Sequence, residues 1–557
     1  MSNNTKGKQV KTKDSIMVQA SALVIAGFVS RIIGLLYRSP LYGVIGKLGF
    51  GYYSTAYNFY TIVLLISSYS IPGAISKVIA QKLALKEYRN AHRVFLCSLG
   101  YVIVVGGAAS LFLFFGAGLL VSEETIPVLR TLAPTIFIYG ILGVLRGYFQ
   151  AHRSMVQTSI SQILEQIANA VISVGAAYLL IRHVMGTMEI PANEADQVKR
   201  ATYGAMGSAM GTGAGVLVAL LFMALVYALN RRIIHKRIAR DRHTHVESYG
   251  DILKMITMVV TPFILNTAVF NLRLTVNNEI YTKFFPDVIG VDSVKVHADW
   301  GVFSTAQTIA DIPIALATAI GTSIIPAMAQ LVASGDYDSV KGKIGAAIKS
   351  TMVLSVPCAM GIFALGKPMT GLLFPSTLPE DLQMAGRVLM ALALSIVFCE
   401  LSTLNSNVLQ GIGKVNAPMI NSCVALVIQT IVAVVLVFFT KLDVYGIAIA
   451  NTLYYIIVST LNQLSVRRSL GYKQELKKTF LIPTLAALVM GVVAWGVYEL
   501  LYLLTDSMRI SVLPAILVAI PVYFVLLILF KGITEEELRN FPKGYLLVKV
   551  AKRFMLM

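Results

Sequence analysis

Arg31 and Arg38 stand seven positions apart in a run with almost no other charge, and Gly27 and Gly34 share their helical spacing. Steps of four, three and four residues put all four on one face of a helix. Two guanidinium groups with only glycine hydrogens between them can be approached closely, and each planar fork can grip phosphate oxygens bidentately. Such a face suits a phosphate-bearing ligand. A plainer role fits the same residues: Arg38 precedes Ser39-Pro40 and could snorkel to an interface, with the glycines serving helix packing.

The acids are candidates of a second kind. Asp311 is the most central acid of the chain, about 16 Å into its apolar run at 1.5 Å per helical residue, where a first-helix arginine could neutralise it. Glu165 shares a polar face with Gln162, Gln166 and Asn169. It could carry a coupling proton or cation, or simply hold a neighbouring helix, and Glu400 resembles it. Pro72-Gly73 and Pro313, Gly321 and Pro326 interrupt corresponding helices, either as bending gates or as ordinary kinks. Lys77, Arg130, Arg273 and Arg387 fall near the ends of apolar runs and read as snorkelling cations. His235, His243 and His245 lack the spacing of a zinc site. Cys97, Cys358, Cys399 and Cys423 are isolated and read as packed thiols. There is no Gly-x-x-x-x-Gly-Lys-Ser/Thr, His-Glu-x-x-His or Gly-x-Ser-x-Gly motif, so nucleotide-driven pumping and the commoner hydrolases lack their residues here.

The elements that must position these groups follow from composition. Hydrophobic residues make up 56% of 557 positions and charged residues 13%, too few to cover a water-soluble surface of this size. Fourteen apolar stretches between residues 16 and 531 each have the ~20-residue length that crosses a ~30 Å hydrocarbon core. The first is expected at 16–38, the second at 53–80 and the sixth at 203–229. A basic stretch, Lys6 to Lys13, precedes the first. Ala20-Ser21-Ala22 sits before rather than after its apolar run, so an uncleaved helix is expected. With the N-terminus inside, 32 of the 47 lysines and arginines fall on the inner side and nine on the outer. That asymmetry accounts for the formal charge of +19 without nucleic acid as a partner.

Ala80-Gln81, Ala84 and Tyr88 recur as Ala329-Gln330, Ala333 and Tyr337; Tyr203-Gly204 recurs as Tyr445-Gly446, and Gln150 as Gln410. The fold class expected is therefore an all-α polytopic membrane protein of fourteen transmembrane helices. Two parallel six-helix repeats surround a central cavity, with two further C-terminal helices. The divisions are an N-lobe at 1–245, a C-lobe at 246–475, and helices thirteen and fourteen with a cytoplasmic tail at 476–557. The most basic loop, Arg231 to Lys254, would join the lobes. The longest outer loop, 182–202, is too short for a catalytic domain, so a transporter is expected rather than an enzyme.

Phe28-Val29-Ser30-Arg31-Ile32-Ile33-Gly34, Arg38, and Pro72-Gly73-Ala74-Ile75-Ser76 resemble the first two helices of the MOP exporter superfamily, specifically its MurJ-like and stage-V-sporulation-like flippases. The resemblance covers nearly the whole chain and implies that Arg31 and Arg38 face a central cationic cavity. Those family members also place arginines in the second and eighth helices. Here Ser67 stands near the first of these positions and Gln307, before Asp311-Ile312-Pro313, at the second. The resemblance implies a flippase for undecaprenyl-diphosphate-linked peptidoglycan precursor, lipid II, in the bacterial cytoplasmic membrane with both termini inside. Other polyprenyl-linked glycans (capsule, teichuronic acid, spore cortex) are the alternative, followed by a multidrug exporter. No cofactor is expected, with coupling to membrane potential, Na+ or H+. The expected partners are a lipid-linked diphosphate glycan, membrane lipids and cell-wall synthesis enzymes.

Overall fold

The computed structural model describes residues 26–535, apart from 70, 153, 240, 242–245, 334 and 441, together with 549 and 552. Lys6 to Lys13, Ala20-Ser21-Ala22, Arg153, His243 and His245 lie outside the described residues, as does the first part of the span expected at 16–38. Every regular element among the described residues is a helix.

Two compact units divide the chain, Met1–Gly301 and Val302–Met557. The first holds α1 (Ala26–Leu36), α2 (Arg38–Leu64), α3 (Ile71–Ala84), α4 (Tyr88–Phe115), α5 (Ala117–Leu120), α6 (Ile126–Ala151), α7 (Met155–Met185), α8 (Glu194–Ala239), α9 (Tyr249–Glu279) and α10 (Phe285–Ile289). The units part within α11 (Ser293–Ala333). The second continues with α12 (Tyr337–Leu373), α13 (Pro379–Gly411), α14 (Asn416–Phe438), α15 (Val444–Leu470), α16 (Ile482–Thr505) and α17 (Met508–Leu529). Eleven stretches of the described residues, with Arg38–Ala84 taken as one, are long and apolar enough to cross a membrane. The 31-residue α9 and the 41-residue α11 are further long helices. The chain is a multi-pass membrane protein.

Small residues set the closest packing. Along α8, Gly207, Gly211 and Gly215 recur every four residues, and a Cβ on any of them would collide with α7 backbone at Ala177, Ser173 or Glu165. In a membrane, where burying apolar surface between helices gains little, such stripes let van der Waals contact hold a pair. A second crossing joins α2 to the start of α11. There Gly51 lies against the carbonyl of His297 and Gly301 against that of Lys47, with no room for a side chain at either glycine.

The structure corrects several sequence expectations. The loop expected between the first two spans is helical, with α2 starting at Arg38 and breaking only at Gly46, where φ is 70°. Arg200 donates to the Val44 carbonyl at that break at 2.9 Å, so this arginine, expected as an outer loop charge, is 7% exposed. Helix α8 spans 46 residues and runs on to Ala239, so the basic stretch from Arg231 begins as helix rather than loop. Arg146 is a buried residue of α6. Arg273 is 3% exposed within α9 rather than snorkelling. Cys423 is exposed on α14 rather than packed.

The recurring sequence segments fold into matching turns. After α3, Lys86 N donates to Leu83 O and Glu87 N to Lys82 O. After α11, Gly335 N donates to Val332 O and Asp336 N to Leu331 O. Lys86 (φ 63°) and Gly335 (φ 74°) occupy the same left-handed conformation. The turn after α6 (Ser154 N to Phe149 O) is repeated after α13 (Lys414 N to Leu409 O).

Candidate functional site

Tyr37 joins α1 to α2 and keeps helical dihedrals of −71° and −20°. Its N–H donates to Ile33 O and its carbonyl accepts from Leu41 N, both at 3.1 Å, so the helical path hardly breaks. Arg31 and Arg38 therefore keep a seven-residue helical separation, about 10.5 Å along the axis, on nearly the same face. Arg31 is exposed and Arg38 half-buried. Gly27 faces open space, whereas a Cβ on Gly34 would come within 3.2 Å of Gln166 Oε1 on α7. One glycine leaves the arginine face clear and the other seats a neighbouring amide.

Beside Arg38 lies a tyrosine column that the sequence analysis missed. Tyr53, Tyr57 and Tyr60 of α2 follow one another with tilted rings whose centroids are 5.6 Å apart at each step. Tyr57 is within electrostatic reach of both Arg38 and Glu165. The Tyr53 hydroxyl meets Thr212 Oγ1 at 3.3 Å. The signal was present as tyrosines spaced by four and three residues on a span already assigned to the membrane.

The polar face of α7 is shared among several neighbours. Glu165 accepts from Arg146 Nη2 at 2.8 Å, and Arg146 Nε donates to Ser161 Oγ at 2.9 Å. Asn169 Oδ1 accepts from Ser173 Oγ. Gln166 turns toward α1. The Glu165–Arg146 pair thus ties α7 to α6 across this face.

Pro72 occupies the second position of α3, just after the π-helical turn Leu65–Tyr69 that holds Ser67. Proline has no N–H to leave unpaired in a first turn. Gly143 and Gly147 of α6 make room for Pro72, and Gly73 faces open space. The break therefore falls in the turn before the Pro-Gly pair.

In the second unit, Gln307 Nε2 donates to Asp311 Oδ1 at 2.8 Å, one turn apart on α11. Asp311 is exposed. The helix continues through Pro313, Gly321 and Pro326, whereas α12 has non-helical dihedrals at Leu365. Pro313 lines an apolar cavity of about 360 Å³ with Ile309, Val353, Cys358, Met490 and Phe524. Glu400 of α13 is 4% exposed, beside Ser355 and Cys358, and forms no ion pair among the described residues. The two expected coupling acids thus differ: Glu165 is paired with a cation and Glu400 is not.

A sequence model of the lipid II flippase MurJ family matches residues 89–513. The chain belongs to the MurJ family. The lipid II flippase MurJ of Bacillus subtilis (strain 168) is 24% identical over 490 residues, covering 84% of this chain and 86% of that one. Stage V sporulation protein B of the same organism is 22% identical over 538 residues, covering 95% and 98%. A solved structure of the lipid II flippase MurJ in an inward closed conformation has a TM-score of 0.62 and 16% identity, covering 90% of this chain and 97% of that one. The structural likeness shows a MurJ-type fold.

Proposed function

We propose that this chain moves undecaprenyl-diphosphate-linked peptidoglycan precursor, lipid II, from the inner to the outer leaflet by alternating access, for cell-wall synthesis. The observation that carries the reading is the arginine face of α1 and α2: two guanidinium groups on one nearly continuous helical path, one exposed and one beside a tyrosine column, in a MurJ-family chain. Arg31 and Arg38 hold the diphosphate. An inside-negative potential favours outward movement of the anion by ~2.3 kcal/mol per charge per 100 mV. Glu400, buried and in no ion pair among the described residues, is the better placed of the two acids to carry a coupling proton or sodium ion.

The topology belongs to the same proposal. Counting α2 with α3 as one crossing and leaving out the short α5 and α10, fourteen helices cross the bacterial cytoplasmic membrane, with both ends inside. The first twelve form two parallel repeats, a layout favoured by the matching turns after α3 and α11.

The similarity to stage V sporulation protein B, over nearly the whole chain, favours a second reading in which the carried lipid bears another polyprenyl-linked glycan. The test is growth of bacteria depleted of their own peptidoglycan-precursor flippases with this chain as sole replacement. Rescue supports lipid II, and failure of a well-expressed chain moves the assignment to the other glycans.

A further inference from the structure

The end of the second unit that carries the 374–378 turn holds a polar cavity of about 390 Å³ between α12, α13 and α16, separate from the apolar one. Its construction begins with two glycines. Gly366 and Gly386 bring α12 and α13 so close that a Cβ on Gly386 would sit 3.0 Å from Lys367 Cβ, and one on Gly366 3.3 Å from the Gly386 carbonyl. The next residue after each glycine is a cation, Lys367 and Arg387, so the close approach brings both charges to one rim. Opposite them α16 presents Trp495, Tyr498, Glu499 and Tyr502. Tyr498 and Tyr502 stack at 5.8 Å with planes 16° apart, and Trp495 is 53% exposed.

Three facts point to a ligand. Lys367, Arg387 and Glu499 form no hydrogen bond or ion pair with any described residue, although all three line one cavity. They stand at one level: Arg387 is about 12 Å from the start of α13, and Lys367 and Glu499 are each about 9 Å from the ends of their helices. This is the depth at which aromatic side chains and snorkelling cations meet lipid headgroups. The volume, against ~30 Å³ for one water in the liquid, holds on the order of a dozen water-sized groups.

We infer that this cavity holds the headgroup of a phosphate-bearing membrane lipid, with Arg387 and Lys367 on the phosphate. Glu499 accepts from a headgroup hydroxyl or ammonium, and the aromatic rings wall the glycerol backbone. Snorkelling would place the two cations at this depth, but it does not call for a carboxylate and a stacked aromatic wall facing them. The inference concerns binding alone and does not rest on which glycan is transported; under the topology proposed above, the rim faces the outer leaflet.

The test uses the full-length chain in phosphatidylcholine nanodiscs with increasing fractions of phosphatidylglycerol brominated near the headgroup, reading quenching of tryptophan fluorescence. Trp300 is 1% exposed, so headgroup-level bromine reports on Trp495. Half-quenching is expected at roughly thirty-fold lower mole fraction than with equally brominated phosphatidylcholine, the scale two interfacial cations supply. The Lys367→Ala/Arg387→Ala double variant should lose that preference, while Arg130→Ala, at an exposed arginine of the first unit, should keep it. Unlabelled undecaprenyl phosphate then separates the sources: relief of quenching assigns the site to the prenyl-linked lipid as well, and no relief assigns it to phospholipid. Equal quenching by the two brominated phospholipids, or an unchanged preference in the double variant, overturns the inference.

Discussion

Arg146 of α6 and Glu165 of α7 meet at 2.8 Å with side chains only 6% and 15% exposed, so a carboxylate that the sequence offers for ion coupling is held as half of a buried pair. Removing one partner strands the other charge in a low-dielectric interior, at a cost of about 3–5 kcal/mol. Arg146→Ala and Glu165→Gln should each markedly lower the unfolding temperature in detergent. The apolar double variant Arg146→Met/Glu165→Leu should recover most of the loss. Single variants as stable as the wild type would contradict a structural role for the pair.

Lys86 holds the left-handed conformation that Gly335 holds in the matching turn. A side chain there costs about 1–2 kcal/mol, part of which glycine returns through the greater freedom of the unfolded chain. Lys86→Gly should therefore stabilise by about 0.5 kcal/mol, and Gly335→Ala should destabilise by about 1 kcal/mol. Thermal unfolding of both variants checks the sign: shifts in the same direction would show that the two turns are not equivalent.

Glu400 forms no ion pair among the described residues, so Glu400→Gln should leave the fold and abundance intact, since the amide fills the same volume. On the proposed mechanism, transport by this variant no longer responds to external pH or sodium at fixed membrane potential. An unchanged response would move the coupling to another group.

Much of this was legible in the residues. The apolar run lengths gave the membrane class, because a span needs length and apolarity and little else. The Arg31 and Arg38 spacing survived because Tyr37 keeps helical dihedrals at the junction. Recurring Ala-Gln and Tyr residues marked turns that fold alike. Charge position is less legible: Arg146, Arg200 and Arg273 are all buried, and hydropathy cannot show that a neighbouring helix supplies a carboxylate or that a break at Gly46 exposes a carbonyl. The extension of α8 to 46 residues was hidden for a related reason, since helix continues beyond the apolar core once charged residues reach water. The cavity lined by Pro313 and the rim of Lys367 and Arg387 depend on helices distant in sequence, which one sequence read alone does not bring together.

The central claim is that the α1–α2 arginine face carries the diphosphate. Its most direct test is the amount of lipid II accessible at the outer leaflet in cells depleted of their own flippases and supplied with this chain or its Arg31→Ala form at equal abundance. Because Arg31 is exposed, the substitution should leave stability unchanged. The account predicts outer-leaflet lipid II and growth with the wild type, and inner-leaflet accumulation without growth in the variant. Full export by the Arg31→Ala protein would contradict it.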